Sequence, residues 1–127
     1  MGITLVLLCY NEIDGTKYLL DKIPFDSVDE YFAVDGGSTD GTREYLKLNN
    51  VKIIDQKSKG RGEAFRIAFR KAKYDNLIFF SLDGNENPDD IAMFKEFFDN
   101  GYDMVIASRL AKGAVNEEDN KLFPLRK

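Results

Sequence analysis

Residues 3–12 read ITLVLLCYNE. Six residues with no charged face give way, from Tyr10 on, to groups that hydrogen-bond and ionise. A half-exposed strand would alternate apolar and polar residues, and a surface helix would repeat its apolar residues every three or four positions. ITLVLL does neither, so it reads as a strand buried on both sides, in the middle of a parallel sheet. Its polar continuation then marks the end at which such sheets hold ligands.

Runs of the same kind recur along the chain: YFAV at 31–34, VKII at 51–54, LIFFSL at 77–82 and MVIA at 104–107. Between them the period changes. Over 63–72 the apolar positions are Ala64, Phe65, Ala68, Phe69 and Ala72, with Arg66, Arg70 and Lys73 on the other side, as in an amphipathic helix. Ile91, Phe94, Phe97 and Phe98 form a second stripe, with Pro88 at its start and Asn100-Gly101 at its stop. The order β-α-β-α-β-α-β-α-β predicts an α/β fold, a mainly parallel, doubly wound sheet with helices on both faces. On this reading residues 1–110 form the domain, and the polar stretch 111–127 is an irregular loop or tail.

Composition narrows the function. The 127 residues suffice for one sizeable core, and 43% apolar content marks a globular chain. The net charge of −4 is spread out and no basic block is present, which argues against nucleic acid as a partner. The first apolar run is too short to span a bilayer and lacks the basic flank of a signal peptide. Gly2 lacks the myristoylation pattern, because Val6 stands where Ser or Thr is needed. A single cysteine, Cys9, excludes an internal disulfide framework, so a soluble, cytoplasmic protein is expected. With no histidine in the chain, any catalysis rests on carboxylates, amides, hydroxyls and cations.

Three strand ends carry polar clusters. The first is Cys9-Tyr10-Asn11-Glu12. The second, Asp35-Gly36-Gly37-Ser38-Thr39-Asp40-Gly41-Thr42, reads as a glycine turn in which Asp40 or Thr39 caps the next helix. That turn does not require Asp35, which is placed to accept hydrogen bonds from a base or ribose. In the third, Asp83-Gly84-Asn85-Glu86-Asn87-Pro88, Asp83 and Asn85 can converge on one hard cation, Mg²⁺ or Mn²⁺, completed by phosphates. Ordinary turn chemistry followed by a helix cap explains the same residues. The run Lys57-Ser58-Lys59-Gly60-Arg61-Gly62-Glu63 puts cations and glycines at a helix start, which favours phosphate, although its spacing is not that of a P-loop. A solvated basic loop accounts for it equally. Together, the strand ends and the basic helix start outline a nucleotide-shaped site.

LVLLCYNE, YFAVDGGSTDGT, KGRGEAFRIAF, FFSLDGNENPDDI and YDMVIASR stand in the order and spacing of family 2 glycosyltransferases. The chain resembles that family over roughly residues 3–109, most closely the branch of polyprenyl-phosphate (dolichol-phosphate) sugar synthases. The resemblance implies a Rossmann-like GT-A fold and hexosyl transfer from a nucleotide-diphosphate sugar, with inversion and with Mg²⁺ or Mn²⁺. It implies that Tyr10 and Glu12 line the nucleotide pocket, that Asp35 lies near the base, and that Lys59 and Arg61 lie near the phosphates. Asp83 and Asn85 fall on the family's D-x-D metal signature, with Asn87 near a further position of that shell; Asp83 thereby also meets the nucleotide. Leu8 stands where many members have Pro, Gly36 where they have a second Asp, and Asn85 where the signature has its second acid. The acceptor on this reading is a polyprenyl phosphate or a glycan, with peripheral membrane association and a homo-oligomer as further expectations for the full-length enzyme. The general base and most acceptor contacts are expected beyond residue 127, so the chain is expected to be the donor-binding part of a longer enzyme.

Two other readings share the pattern. A non-catalytic, receiver-like signalling module needs paired acids after the first strand and a Lys after the fifth, where this chain has Cys9-Tyr10-Asn11-Glu12 and Ser108-Arg109. A sugar-phosphate nucleotidyltransferase needs a glycine-rich basic loop after the first strand, where Tyr10-Asn11-Glu12 stands.

Overall fold

The computed structural model describes residues 2–58, 60–84 and 86–99. Four parallel strands form one sheet: β1 (Ile3–Cys9), β2 (Glu30–Asp35), β3 (Ile53–Asp55) and β4 (Asn76–Ser81), in the order β3-β2-β1-β4. Helices α1 (Ile13–Leu19), α2 (Thr42–Leu48) and α3 (Arg61–Lys71) connect them, and α4 (Asp89–Asp99) follows β4. Two short 3-10 turns, Leu20–Lys22 and Phe25–Ser27, lead from α1 to β2.

β1 is central because both its faces are apolar. Ile3, Leu5, Leu7 and Cys9 point into one cluster, with Leu19 of α1, Leu46 of α2 and Ile91 of α4. Val6, with Leu8 against it, points the other way, onto Ala64, Ile67 and Ala68 of α3. Helices therefore cover both faces, α1, α2 and α4 on one and α3 on the other. The chain steps from β1 outward to β3 with its helices on the first face, then crosses to the far side of β1 with α3 on the second. Changing direction and face together keeps one hand of crossover. It also makes the gap between β1 and β4 the topological switch point, where open α/β sheets bind ligands.

The predicted doubly wound α/β class holds, with local corrections. β1 extends to Cys9 and β3 starts only at Ile53, Val51 being a buried plug ahead of it, 3% exposed. In α3 the buried stripe is Ala64, Ile67 and Ala68, spaced i, i+3, i+4, and not the Phe65–Phe69 pair; Phe69 is 62% exposed and leans on the Phe79 ring at 6.0 Å. The 100° step of a helix carries position 69 off the stripe that Ala64 and Ala68 define. The proposed fifth strand at 104–107, the stop at Asn100-Gly101 and the tail at 111–127 lie outside the described residues.

Gly15 fixes how closely α1 approaches β4. A Cβ there would lie 2.1 Å from the carbonyl oxygen of Leu82. The obstacle is backbone, so no side-chain rotation relieves it. Gly15→Ala is expected to cost about 3 kcal/mol through overpacking, read as a lower urea midpoint. An unchanged midpoint would show that α1 can slide away from the sheet.

Candidate functional site

At the carboxyl ends of the strands the structure opens a cleft of about 420 Å³. Leu8, Cys9, Tyr10 and Glu12 reach it from β1, Val34 and Gly36 from β2, Gln56, Gly60 and Ala64 from the passage into α3, and Ser81 and Asp83 from β4. Its floor is apolar and its lips are polar, the usual make-up of a small-molecule site.

The loops after β1 and β2 are strapped together by side chains that bond backbone. Asn11 N–H donates to Ser38 Oγ at 2.8 Å, Glu12 N–H to Thr42 Oγ1 at 3.0 Å and Ile13 N–H to Asp40 Oδ2 at 3.1 Å. In return Thr39 N–H donates to Asn11 Oδ1 at 2.8 Å. Asn11 holds a left-handed backbone, φ 51°, which asparagine tolerates better than most residues. The helix cap differs from expectation: Gly41, φ 103°, is the N-cap of α2 and makes no side-chain bond. Asp40 instead accepts the Thr42 N–H and hydroxyl and ties the first turn to α1. The Thr42 hydroxyl is the main reason the Asp40 carboxyl sits below its ordinary range.

Asp35 anchors this frame from beneath. Its carboxylate is fully buried and accepts from five donors: Ser38 Oγ at 2.5 Å, Ser38 N–H at 2.9 Å, Gly37 N–H at 3.1 Å, Arg43 Nη1 at 3.0 Å and Cys9 Sγ at 3.4 Å. Burial pushes the carboxyl upward, but the bonds from Ser38, Arg43 and Gly37 outweigh it and hold it below its ordinary range. Arg43 also pairs with Asp55 at the end of β3. Asp35 stands behind the cleft wall and organises it, its carboxylate engaged by its own turn and by Arg43. A carboxylate at a buried strand end with a Ser three residues on is more economically satisfied by its own turn.

The basic loop is also built from within. Gln56 Nε2 donates to the carbonyls of Ser58 and Gly60, both at 2.7 Å. Gly60 adopts φ 114°, ψ 148°, a conformation open essentially to glycine alone. Ser58 Oγ donates to Glu63 Oε2 at 2.7 Å, which lowers the Glu63 carboxyl, with help from Arg66 and Arg70. Arg61 is the first residue of α3, its side chain outside the described part, and Lys59 lies outside the described residues.

At the end of β4, Asp83 is exposed on the cleft lip and Gly84 turns the chain with φ 87°. Ser81 N–H donates to Glu86 Oε1 at 2.6 Å. Asn87 Oδ1 accepts the Asp89 N–H at 3.0 Å, an Asx turn that starts α4 one residue after Pro88. Helix entry thus gives Asn87 a role of its own, its amide oxygen accepting one backbone N–H at the start of α4. Asn85 lies outside the described residues. Among the described residues no three carboxylate, thiol or imidazole groups gather as a metal nest. Asp83 and Glu12 both bring carboxylate oxygens to the cleft, hard donors of the kind that suit Mg²⁺ or Mn²⁺ when a ligand's phosphates complete the shell.

Of the residues anticipated from sequence, Tyr10, Glu12 and Asp83 come together on one cleft. Gln56 and Arg43 were missed. Gln56 directly follows β3, so the strand-end rule applied to all four strands would have found it. Arg43 gave no signal, since its partners are distant in sequence.

The sequence profile of Glycosyl transferase family 2 matches residues 4–125. The chain belongs to glycosyl transferase family 2. It is 30% identical over 105 residues to the glycosyltransferase AglJ of Haloferax volcanii, covering 80% of this chain and 34% of that protein. Among solved structures it is similar to glucosyl-3-phosphoglycerate synthase from Mycobacterium tuberculosis in complex with Mn²⁺ and UDP-glucose. That similarity has a TM-score of 0.61 at 26% identity and covers 68% of this chain and 35% of the synthase. A mycobacterial protein at 23% identity shares the fold, with a TM-score of 0.70 over 80% of this chain and 38% of its own. The chain thus spans about a third of the length of these relatives. Family 2 membership and these likenesses agree with the Rossmann-like GT-A sheet described above.

Proposed function

We propose that this chain is the donor-binding part of a glycosyltransferase that moves a hexosyl group from a nucleoside-diphosphate sugar to an acceptor. The observation that carries the reading is the cleft at the β1/β4 switch point, with Tyr10 and Glu12 on one lip and Asp83 on the other, in a family 2 chain. The UDP-glucose and Mn²⁺ bound by the M. tuberculosis synthase support it. The base and ribose lie on the β1–β2 side, on the frame that Asp35 anchors. The diphosphate lies toward β4, within reach of the N-terminus of the eleven-residue α3, whose dipole favours anions. Lys57, Lys59 and Arg61 surround that end in sequence.

Breaking the sugar–phosphate bond leaves the electron pair on the departing diphosphate, and stabilising that charge is the chief electrostatic task. Asp83, with Asn85 as a second oxygen donor, would hold a Mg²⁺ or Mn²⁺ ion there. Bound, the ion supplies Lewis-acid neutralisation of the leaving diphosphate. Transfer with inversion, a general base outside this chain, and a polyprenyl phosphate or glycan acceptor reached from the cytoplasm complete the proposal. Its support is the motif resemblance, which is closest to the polyprenyl-phosphate branch.

Calorimetric titration with UDP and GDP, with and without Mn²⁺, is the test. The expected result is binding that tightens about tenfold with the ion. No heat for any nucleotide at millimolar concentration would sink the reading.

A further inference from the structure

We propose that Glu86 is a positioning residue for the diphosphate corner: its carboxylate clasps the turn that carries Asp83 and so sets where Asp83 meets a divalent ion. This rests on the nucleotide-sugar reading above. The first observation is at the sheet's edge. β4 closes one end of the described sheet, with β1 as its one partner there. Leu82 N–H donates to the Leu8 carbonyl at 3.1 Å, toward β1. Successive N–H groups of a strand point to opposite edges, so Ser81 N–H points away from β1. No described strand meets it on that side. Glu86 does, accepting that N–H on Oε1 at 2.6 Å.

The second observation is what this bond encloses. It spans five residues and closes a ring around the turn. Asp83 and Gly84 are exposed inside that ring, Gly84 with φ 87°, whereas Glu86 is half-buried. A carboxylate drawn out of water needs a donor in exchange, and the strand edge supplies one. The end of β4 is thus pinned on both sides, Leu82 by β1 and Ser81 by Glu86, immediately before Asp83. The ladder stops there, so Asp83 depends on its turn for its place. A donor group on a preformed turn loses less conformational freedom when an ion arrives. Glu86 does this work through an acceptor oxygen bonded to backbone, which an amide oxygen on the same stem can reproduce.

The test reads the Mn²⁺ concentration that gives half of the ion-dependent gain in UDP binding. Glu86→Ala is expected to raise it about tenfold, as loss of a group that orients a metal ligand does. UDP affinity without the ion and the melting temperature should stay near those of the parent. Glu86→Gln keeps the acceptor and is expected to stay within about threefold of the parent, its bond being the weaker, uncharged kind. An unchanged Mn²⁺ midpoint in Glu86→Ala would overturn the proposal. A Glu86→Gln loss as large as that of alanine overturns it too, by making Glu86 a ligand of the ion itself. A fall in ion-free affinity and melting temperature together would do the same, by making Glu86 a prop of the fold. So would a parent that binds UDP with no gain from Mn²⁺. If the parent binds no nucleotide at all, the nucleotide-sugar reading fails first, and this inference falls with it.

Discussion

Asp83→Ala is expected to abolish the effect of Mn²⁺ on nucleoside-diphosphate binding, lowering affinity in Mn²⁺ buffer by about 10- to 100-fold. Affinity without the ion should change little. Asp83 is exposed at a turn, and Gly84, with its positive φ, supplies the conformation that the turn requires. Melting temperature should therefore stay near that of the parent, which separates loss of a ligand from loss of the fold. Titration of both proteins, each with and without Mn²⁺, gives the comparison. If the variant retains the same ion-dependent gain, the ion is held by other groups and the assignment of Asp83 is wrong.

Asp35→Ala should act on the fold instead. Removing the carboxylate orphans the Arg43 guanidinium's inner contact, the Ser38 hydroxyl and two backbone N–H groups in a buried place. Breaking a buried, hydrogen-bonded ion pair by deleting one partner costs about 3–5 kcal/mol. The pH dependence follows from the direction of the shift. The native carboxyl is held below its ordinary value of about 3.9, so the folded state binds the proton less readily than the unfolded chain. The stabilisation is present in full above that unfolded value and is lost as pH falls through the lower native one. Urea midpoints at neutral pH and at successively more acid pH should fall for the parent, and fall less for Asp35→Ala. Parallel declines would show that other carboxylates control acid stability.

Much of the architecture was legible because it depends on patterns with a fixed period. ITLVLL could sit only where both faces are covered, and that one placement orders the sheet around it. Local hydrogen bonding is what the sequence pattern left out. Asp35 and Asn87, singled out for a ligand, each also find donors within three residues, and nearby donors are the easiest to satisfy on folding. Phe69 was read as core because it is apolar, but the angular step of the helix put it on the rim. Arg43 shows the opposite failure. Its role depends on helix-to-strand distance, which spacing in one sequence does not encode.

The chain's sole thiol has a further consequence. Cys9 is 7% exposed, donates toward Val34 O and Asp35 Oδ1, and has its pKa driven upward, first by burial and then by Asp35. Reactivity resides in the thiolate, so in the native state this sulfur is chemically quiet. Loss of its contacts with Val34 and Asp35, as when β1 and β2 part at this end, would free it to react. The rate at which a thiol reagent labels Cys9 is then a built-in clock for opening of the sheet, readable without introducing a probe. Anything that clasps the two strand ends together would be expected to slow it.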